Sequence, residues 1–179
     1  SMEILVVTYF LNGFLMIAMP IGLAIYLAHK ANLGWRLFGI GAVTFILSQV
    51  GHIPFNWAMG KLLNQSNLVD WPPTAQVIFS AAFLGLSAGI FEETARYLVL
   101  RYWEKNARSW RAALMFGTGH GGIEAIILGA LVLLGFFSML AYRDADLSQL
   151  VPASQLELAR QQIAAYWSAP WFATTLGAL

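Results

Sequence analysis

Glu92, Glu93 and Arg96 stand in the run Phe91-Glu92-Glu93-Thr94-Ala95-Arg96-Tyr97, inside a stretch otherwise apolar enough to cross a membrane. A charged side chain at bilayer depth costs roughly 3 kcal/mol on insertion scales, so three of them within five residues need a compensating reason. His120 and Glu124 form a second polar cluster in the next apolar stretch, and Gln49, His52 and Asn56 a third in the preceding one. Carboxylates and imidazoles withdrawn from water can activate a water molecule, hold a metal or relay protons.

Spacing distributes these groups over helix faces. Glu92 and Arg96 are four residues apart and Glu93 and Arg96 three, so either carboxylate can meet the guanidinium. Successive residues point about 100° apart, so one glutamate can be held by Arg96 while its neighbour faces elsewhere. His120 and Glu124 share a face, and Gly117, Gly119, Gly121 and Gly122 surround His120. Such glycines weaken a helix but let another backbone approach. Gly85 and Gly89 offer a matching small face in the preceding stretch. Each cluster also has a purely structural reading. Buried Glu–Arg pairs can be neutralised glue, and a membrane histidine can be a simple interhelical hydrogen bonder.

The elements that position these residues follow from composition. The chain has 179 residues, 59% of them hydrophobic and only 11% charged. Its mean hydropathy is +0.65. Soluble domains carry about a quarter charged residues, and the apolar runs are too long and continuous for a barrel. The expected fold is therefore all-α, a polytopic bundle forming one transmembrane domain. Full spans are expected at about 4–28, 35–63, 74–103 and 110–142. Pro54 predicts a kink or break in the second. The first run is too long for a signal-peptide core and reads as a retained span. Ser154-Gln155-Leu156-Glu157 has the capping-box pattern. It is expected to open an amphipathic helix at 154–168 with Leu156, Ala159, Ile163 and Trp167 along one face, lying on the membrane or packing on the bundle. A further span is expected to begin at 170–179, with at least one more helix belonging to the full protein. A net charge of +1 gives no nucleic-acid signature. With no cysteine, disulfides and thiolate metal sites are excluded.

Basic residues orient the bundle. Lys30 and Arg36 flank the first loop, and Arg101, Lys105, Arg108 and Arg111 the third. The positive-inside rule places both loops in the cytoplasm and the amino terminus outside, in a multi-pass cell-membrane protein. Glu92 lies nine residues before Arg101 and His120 nine after Arg111. At 1.5 Å per residue both sit roughly 13 Å in from one boundary. A short connection makes the two spans antiparallel neighbours, so the clusters can face each other at matched depth. His52 counts as deeper, towards the outer half.

The stretches Ser48-Gln49-Val50-Gly51-His52-Ile53-Pro54-Phe55-Asn56, Phe91-Glu92-Glu93-Thr94-Ala95-Arg96-Tyr97 and Gly119-His120-Gly121-Gly122-Ile123-Glu124-Ala125 resemble those of the YhfC-type intramembrane proteases. That family is grouped with the CAAX-prenyl-protease and bacteriocin-processing superfamily. The resemblance runs from the first span to at least Ala130. The chain departs from the prenyl proteases in having two residues, Thr94 and Ala95, between the second glutamate and the arginine, where they have three. The resemblance also implies a later histidine-bearing helix that would fall after Leu179.

It implies an endopeptidase acting on membrane-protein or lipidated peptides amid membrane lipids. Glu92 would be the base that activates water, with Glu93 held by Arg96. His120 would orient the water or share its proton, with Glu124 fixing the imidazole tautomer. His52 and Asn56 would stabilise the oxyanion, with Gln49 in support. A metal-free reaction is the first expectation. A zinc enzyme, with Glu92, His120 and Glu124 or His52 as ligands, is the alternative. The competing classes are a non-catalytic scaffold and a proton or solute transporter, which can use the same intramembrane carboxylates.

Overall fold

The computed structural model describes residues 2–66 and 70–172. Five α-helices account for most of them: α1 Met2–Lys30, α2 Trp35–Asn64, α3 Pro73–Leu98, α4 Trp110–Tyr142 and α5 Leu156–Ser168. A π-helical turn, Val99–Trp103, prolongs α3, and 3-10 turns at Leu147–Gln149 and Ala153–Gln155 precede α5. No strand occurs among the described residues. α1, α2, α3 with its π turn, and α4 are each long and apolar enough to cross a membrane. Residues 173–179, where the further span was expected, lie outside the described residues.

α2 runs without interruption through Pro54, so the expected break is absent. Proline in a membrane helix is tolerated when neighbours satisfy the freed carbonyl. The turn from α1 to α2 is made at Asn32, whose φ of 50° is left-handed. Asparagine accepts that conformation more readily than most residues. The expected capping box is not formed either. Ser154 lies within the 3-10 turn that follows Pro152, and the N-cap position is Gln155, without a side-chain cap bond.

The chain divides into two compact units, one comprising Ala24–Ile123 and the other Ser1–Leu23 with Glu124–Leu179. In the first, Ala24, Leu27 and Met115 form one buried cluster and Ile40, Val99 and Phe116 another. Helix α2 lies backbone to backbone against α4. A Cβ on Gly119 would stand 2.0 Å from the Phe38 carbonyl oxygen, and one on Gly41 would stand 2.1 Å from that of Phe116. Only glycine permits this approach. Gly85 and Gly89 differ from expectation: a Cβ at either would meet nothing within 4 Å. Their spacing marks a small face, but no described helix occupies it.

A charged clamp closes the same unit. Arg36, at the start of α2, grips Glu104, just past the π turn. Nη1 donates to Oε2 at 2.9 Å and Nη2 to Oε1. The Glu104 carboxylate is buried while Arg36 remains exposed. As part of a short polar loop, Glu104 gave no hint of this.

In the second unit the stripe Leu156, Ala159, Ile163 and Trp167 is the covered side of α5. The helix packs on its neighbours: Tyr166 stacks on Tyr9 at 4.2 Å, and the Trp167 indole N–H donates to the Met139 carbonyl at 3.3 Å.

Candidate functional site

α2, α3 and α4 each deliver one polar cluster. On α3, the two adjacent glutamates take different partners. Arg96 Nη2 donates to Glu93 Oε1 at 2.5 Å but stands 4.0 Å from Glu92 Oε2. Helical rotation explains the split, since one turn of spacing brings only one of the two carboxylates fully onto the guanidinium. Glu92 turns instead to α4, where its Oε2 lies 3.4 Å from His120 Nε2. The side chain of His120 is 3% exposed, that of Glu92 19% and that of Glu93 73%.

The position of His120 follows from the glycine crossing. Gly119 brings the α4 backbone against α2, so the next side chain is enclosed. Phe45 of α2 meets the imidazole edge-on, with ring centroids 5.6 Å apart, and Phe116 stacks one turn away. Nε2 faces Glu92, whereas Nδ1 is buried with no hydrogen-bond partner among the described residues. Glu124 was expected to fix the imidazole tautomer. It is exposed and makes no hydrogen bond or ion pair among the described residues.

The third cluster assembles separately. His52 Nε2 lies 2.9 Å from Ser87 Oγ and 2.8 Å from Asn56 Nδ2, while Nδ1 lies 3.4 Å from Gln49 Oε1. Ser87 Oγ is also within 3.3 Å of Asn56 Oδ1. With Nδ1–H donating to Gln49, Nε2 is the acceptor for its two neighbours. Thus His52 and Asn56 meet α3 at Ser87, five residues before Glu92, while Gln49 bonds His52 within α2. Ser87 was missed. Its only sequence signal is a hydroxyl within an apolar span, at a depth comparable with His52.

Zinc in a protein is held by three or four ligands at about 2.0–2.2 Å, and two ligands of a tetrahedral ion stand about 3.3 Å apart. The Glu92–His120 separation matches one such edge. A third donor is lacking: no group of three His, Cys, Asp or Glu side chains suited to a metal occurs among the described residues. His52 is engaged elsewhere, Glu124 stands exposed, and the Arg96 guanidinium 4.0 Å from Glu92 opposes a dication. The described residues therefore do not fit a zinc site.

Four membrane-length helices with an imidazole and a carboxylate paired within them define a polytopic helical membrane protein with an intramembrane polar site. The chain belongs to the YhfC intramembrane metalloprotease family, whose model matches residues 15–179. It is 33% identical over 122 residues to a protein of Bacillus subtilis (strain 168) described as "Uncharacterized membrane protein YhfC". The match covers 68% of this chain and 46% of that protein, so the chain spans about half the length of its curated relative. No solved structure matches.

Proposed function

We propose that Glu92 and His120 hydrolyse a peptide bond of a membrane-associated substrate without a resident metal. The observation that carries this reading is the contact of a partly accessible Glu92 carboxylate with an imidazole that is otherwise unsatisfied. Neighbouring Glu93 is already committed to Arg96.

In the proposed reaction Glu92 takes a proton from water, and the hydroxide oxygen bonds to the scissile carbonyl carbon. The resulting tetrahedral oxyanion collapses, the C–N bond breaks, and Glu92 returns the proton to the leaving amine. His120 holds the Glu92 carboxylate through Nε2. Its Nδ1 is buried and unpaired among the described residues, at a cost of about 1–3 kcal/mol. We assign Gln49, His52, Asn56 and Ser87 to holding α2 against α3 rather than to the oxyanion, because their polar atoms are mutually engaged. Glu124 receives no step.

Membership of a family described as intramembrane metalloproteases supports a peptide substrate. The basic loops support a cell-membrane location with the amino terminus outside, Glu92 then lying nearer the cytoplasmic boundary.

The test compares wild type, Glu92→Gln and Glu93→Gln in proteoliposomes containing transmembrane or lipidated peptide libraries. Loss of a positioned base lowers turnover by about 10²–10⁴-fold. That loss is expected for Glu92→Gln, with a smaller one for Glu93→Gln. Equal cleavage by all three proteins would remove Glu92 from the role. Stoichiometric zinc in the purified protein, lost in His120→Ala, would overturn the metal-free reaction.

A further inference from the structure

The second unit contains a cavity of about 430 Å³ that the hydrolytic reading does not use. Met2 opens α1 and Tyr142 closes α4, and both line it. These are the ends of two helices long enough to span, so the cavity sits at headgroup level. Arg143 and Arg160 line the wall, with Ile163 and Trp167 of α5 supplying apolar surface. Arg160 makes no hydrogen bond or ion pair among the described residues. Arg143 spends Nε and Nη2 on Asp144 and lies over the Trp167 ring, 5.9 Å from its centroid.

One carboxylate shares this wall. Asp146 is already engaged: its Oδ1 accepts from the Ser148 N–H at 3.1 Å and hydroxyl at 2.7 Å, and its Oδ2 accepts from Gln149 at 3.3 Å. The Ser148 bonds hold its carboxyl below the usual carboxylate range, and Arg160 acts in the same direction. The lining thus carries two guanidiniums and one satisfied acid, with Asp144 paired to Arg143 beside it, so that Arg160 is the cation left without an ion pair among the described residues. A second, mainly apolar cavity of about 340 Å³ shares Met2 and Trp167 with the first and is also lined by Leu5, Pro170 and Trp171.

We infer that this pair of cavities binds one glycerophospholipid, its phosphate between Arg143 and Arg160 and an acyl chain along Leu5 and Trp171. Guanidiniums favour phosphate oxygens geometrically, and tryptophan and arginine are placed where apolar chain gives way to headgroup. The adjoining apolar cavity favours a lipid over a free anion, because inorganic phosphate has nothing to bury there.

The test uses native mass spectrometry of the full chain in detergent, titrated separately with dioleoylphosphatidylglycerol, dioleoylglycerol and inorganic phosphate. The phosphatidylglycerol is expected to be retained at one per chain and the other two to be lost. Arg143→Ala/Arg160→Ala is expected to weaken retention about tenfold, the effect of losing one charge-assisted hydrogen bond. Arg143 supports Trp167, so Arg160→Ala alone, at an exposed unbonded position, tests the phosphate contact without disturbing α5. A several-fold loss is expected there. Retention of dioleoylglycerol as strong as that of the phospholipid would overturn the phosphate site. Equal binding of inorganic phosphate would reduce it to a small-anion site. Unchanged binding in both variants would remove the arginines from it.

Discussion

His52 and His120 are both buried imidazoles on membrane-spanning helices, yet their surroundings differ. His52 has a neighbour for each ring nitrogen: Gln49 at Nδ1, with Ser87 and Asn56 at Nε2. His120 has one carboxylate at Nε2, at the long distance of 3.4 Å, and among the described residues no partner at Nδ1. A saturated network stabilises and specifies packing. An unsatisfied buried group costs free energy and calls for a functional explanation. The comparison teaches that residue type and membrane depth do not separate a saturated histidine from an unsatisfied one. The count of partners does.

The largest expected effect separates the two by activity. His120→Gln should lower peptide cleavage by about 10²-fold, as for misplacement of the base that it holds. His52→Gln should retain most turnover once corrected for folded protein. Comparable losses in both variants, measured in proteoliposomes, would merge the two clusters into one site. The α2–α4 crossing comes next. Gly119→Ala sets a Cβ against the Phe38 carbonyl and should cost about 1–3 kcal/mol by overpacking, seen as a lowered thermal midpoint together with reduced activity. An unchanged midpoint would mean that the helices separate freely.

Stability should then rank the histidines in the opposite order from activity. His52→Leu removes the ring that joins Gln49, Ser87 and Asn56 and should cost about 1–3 kcal/mol, whereas His120→Leu removes an unpaired nitrogen and one long contact to the partly exposed Glu92 and should cost less. Thermal unfolding in detergent would check the order, and a larger loss in His120→Leu would reverse the assignment. The smallest effect is expected for Ser87→Ala. Loss of a single net hydrogen bond, about 1 kcal/mol, should shift the midpoint modestly and leave kcat unchanged.

The spans were legible because hydropathy over some 20 residues records the membrane directly. The approach of Glu92 to His120 was legible too, since both count to one depth from the basic loops and a short connection makes their helices neighbours. Ser87 was not, because a hydroxyl in a span looks like any other small residue until helix rotation places it before His52. The burial of Glu104 was not legible, since sequence does not reveal when a loop acid tucks beneath the first turn of another helix. The expected Glu124–His120 pairing rested on shared helical spacing, which places two residues on one side without making them bond. Gly85 and Gly89 show the same limit: a small face is visible in sequence, its occupant is not.

The Arg36–Glu104 clamp bears on all of this from the helix ends. It joins the first turn of α2 to the chain leaving α3, and so acts as a depth stop between two helices that could otherwise slide. A slip of one helical turn, about 5.4 Å, would carry His52 away from Ser87. Inserting one residue between Glu92 and Glu104 would turn the glutamate about 100° around its helix with the clamp still engaged. The alignment of the intramembrane groups is thus gauged from a loop, and its length in residues is part of the site.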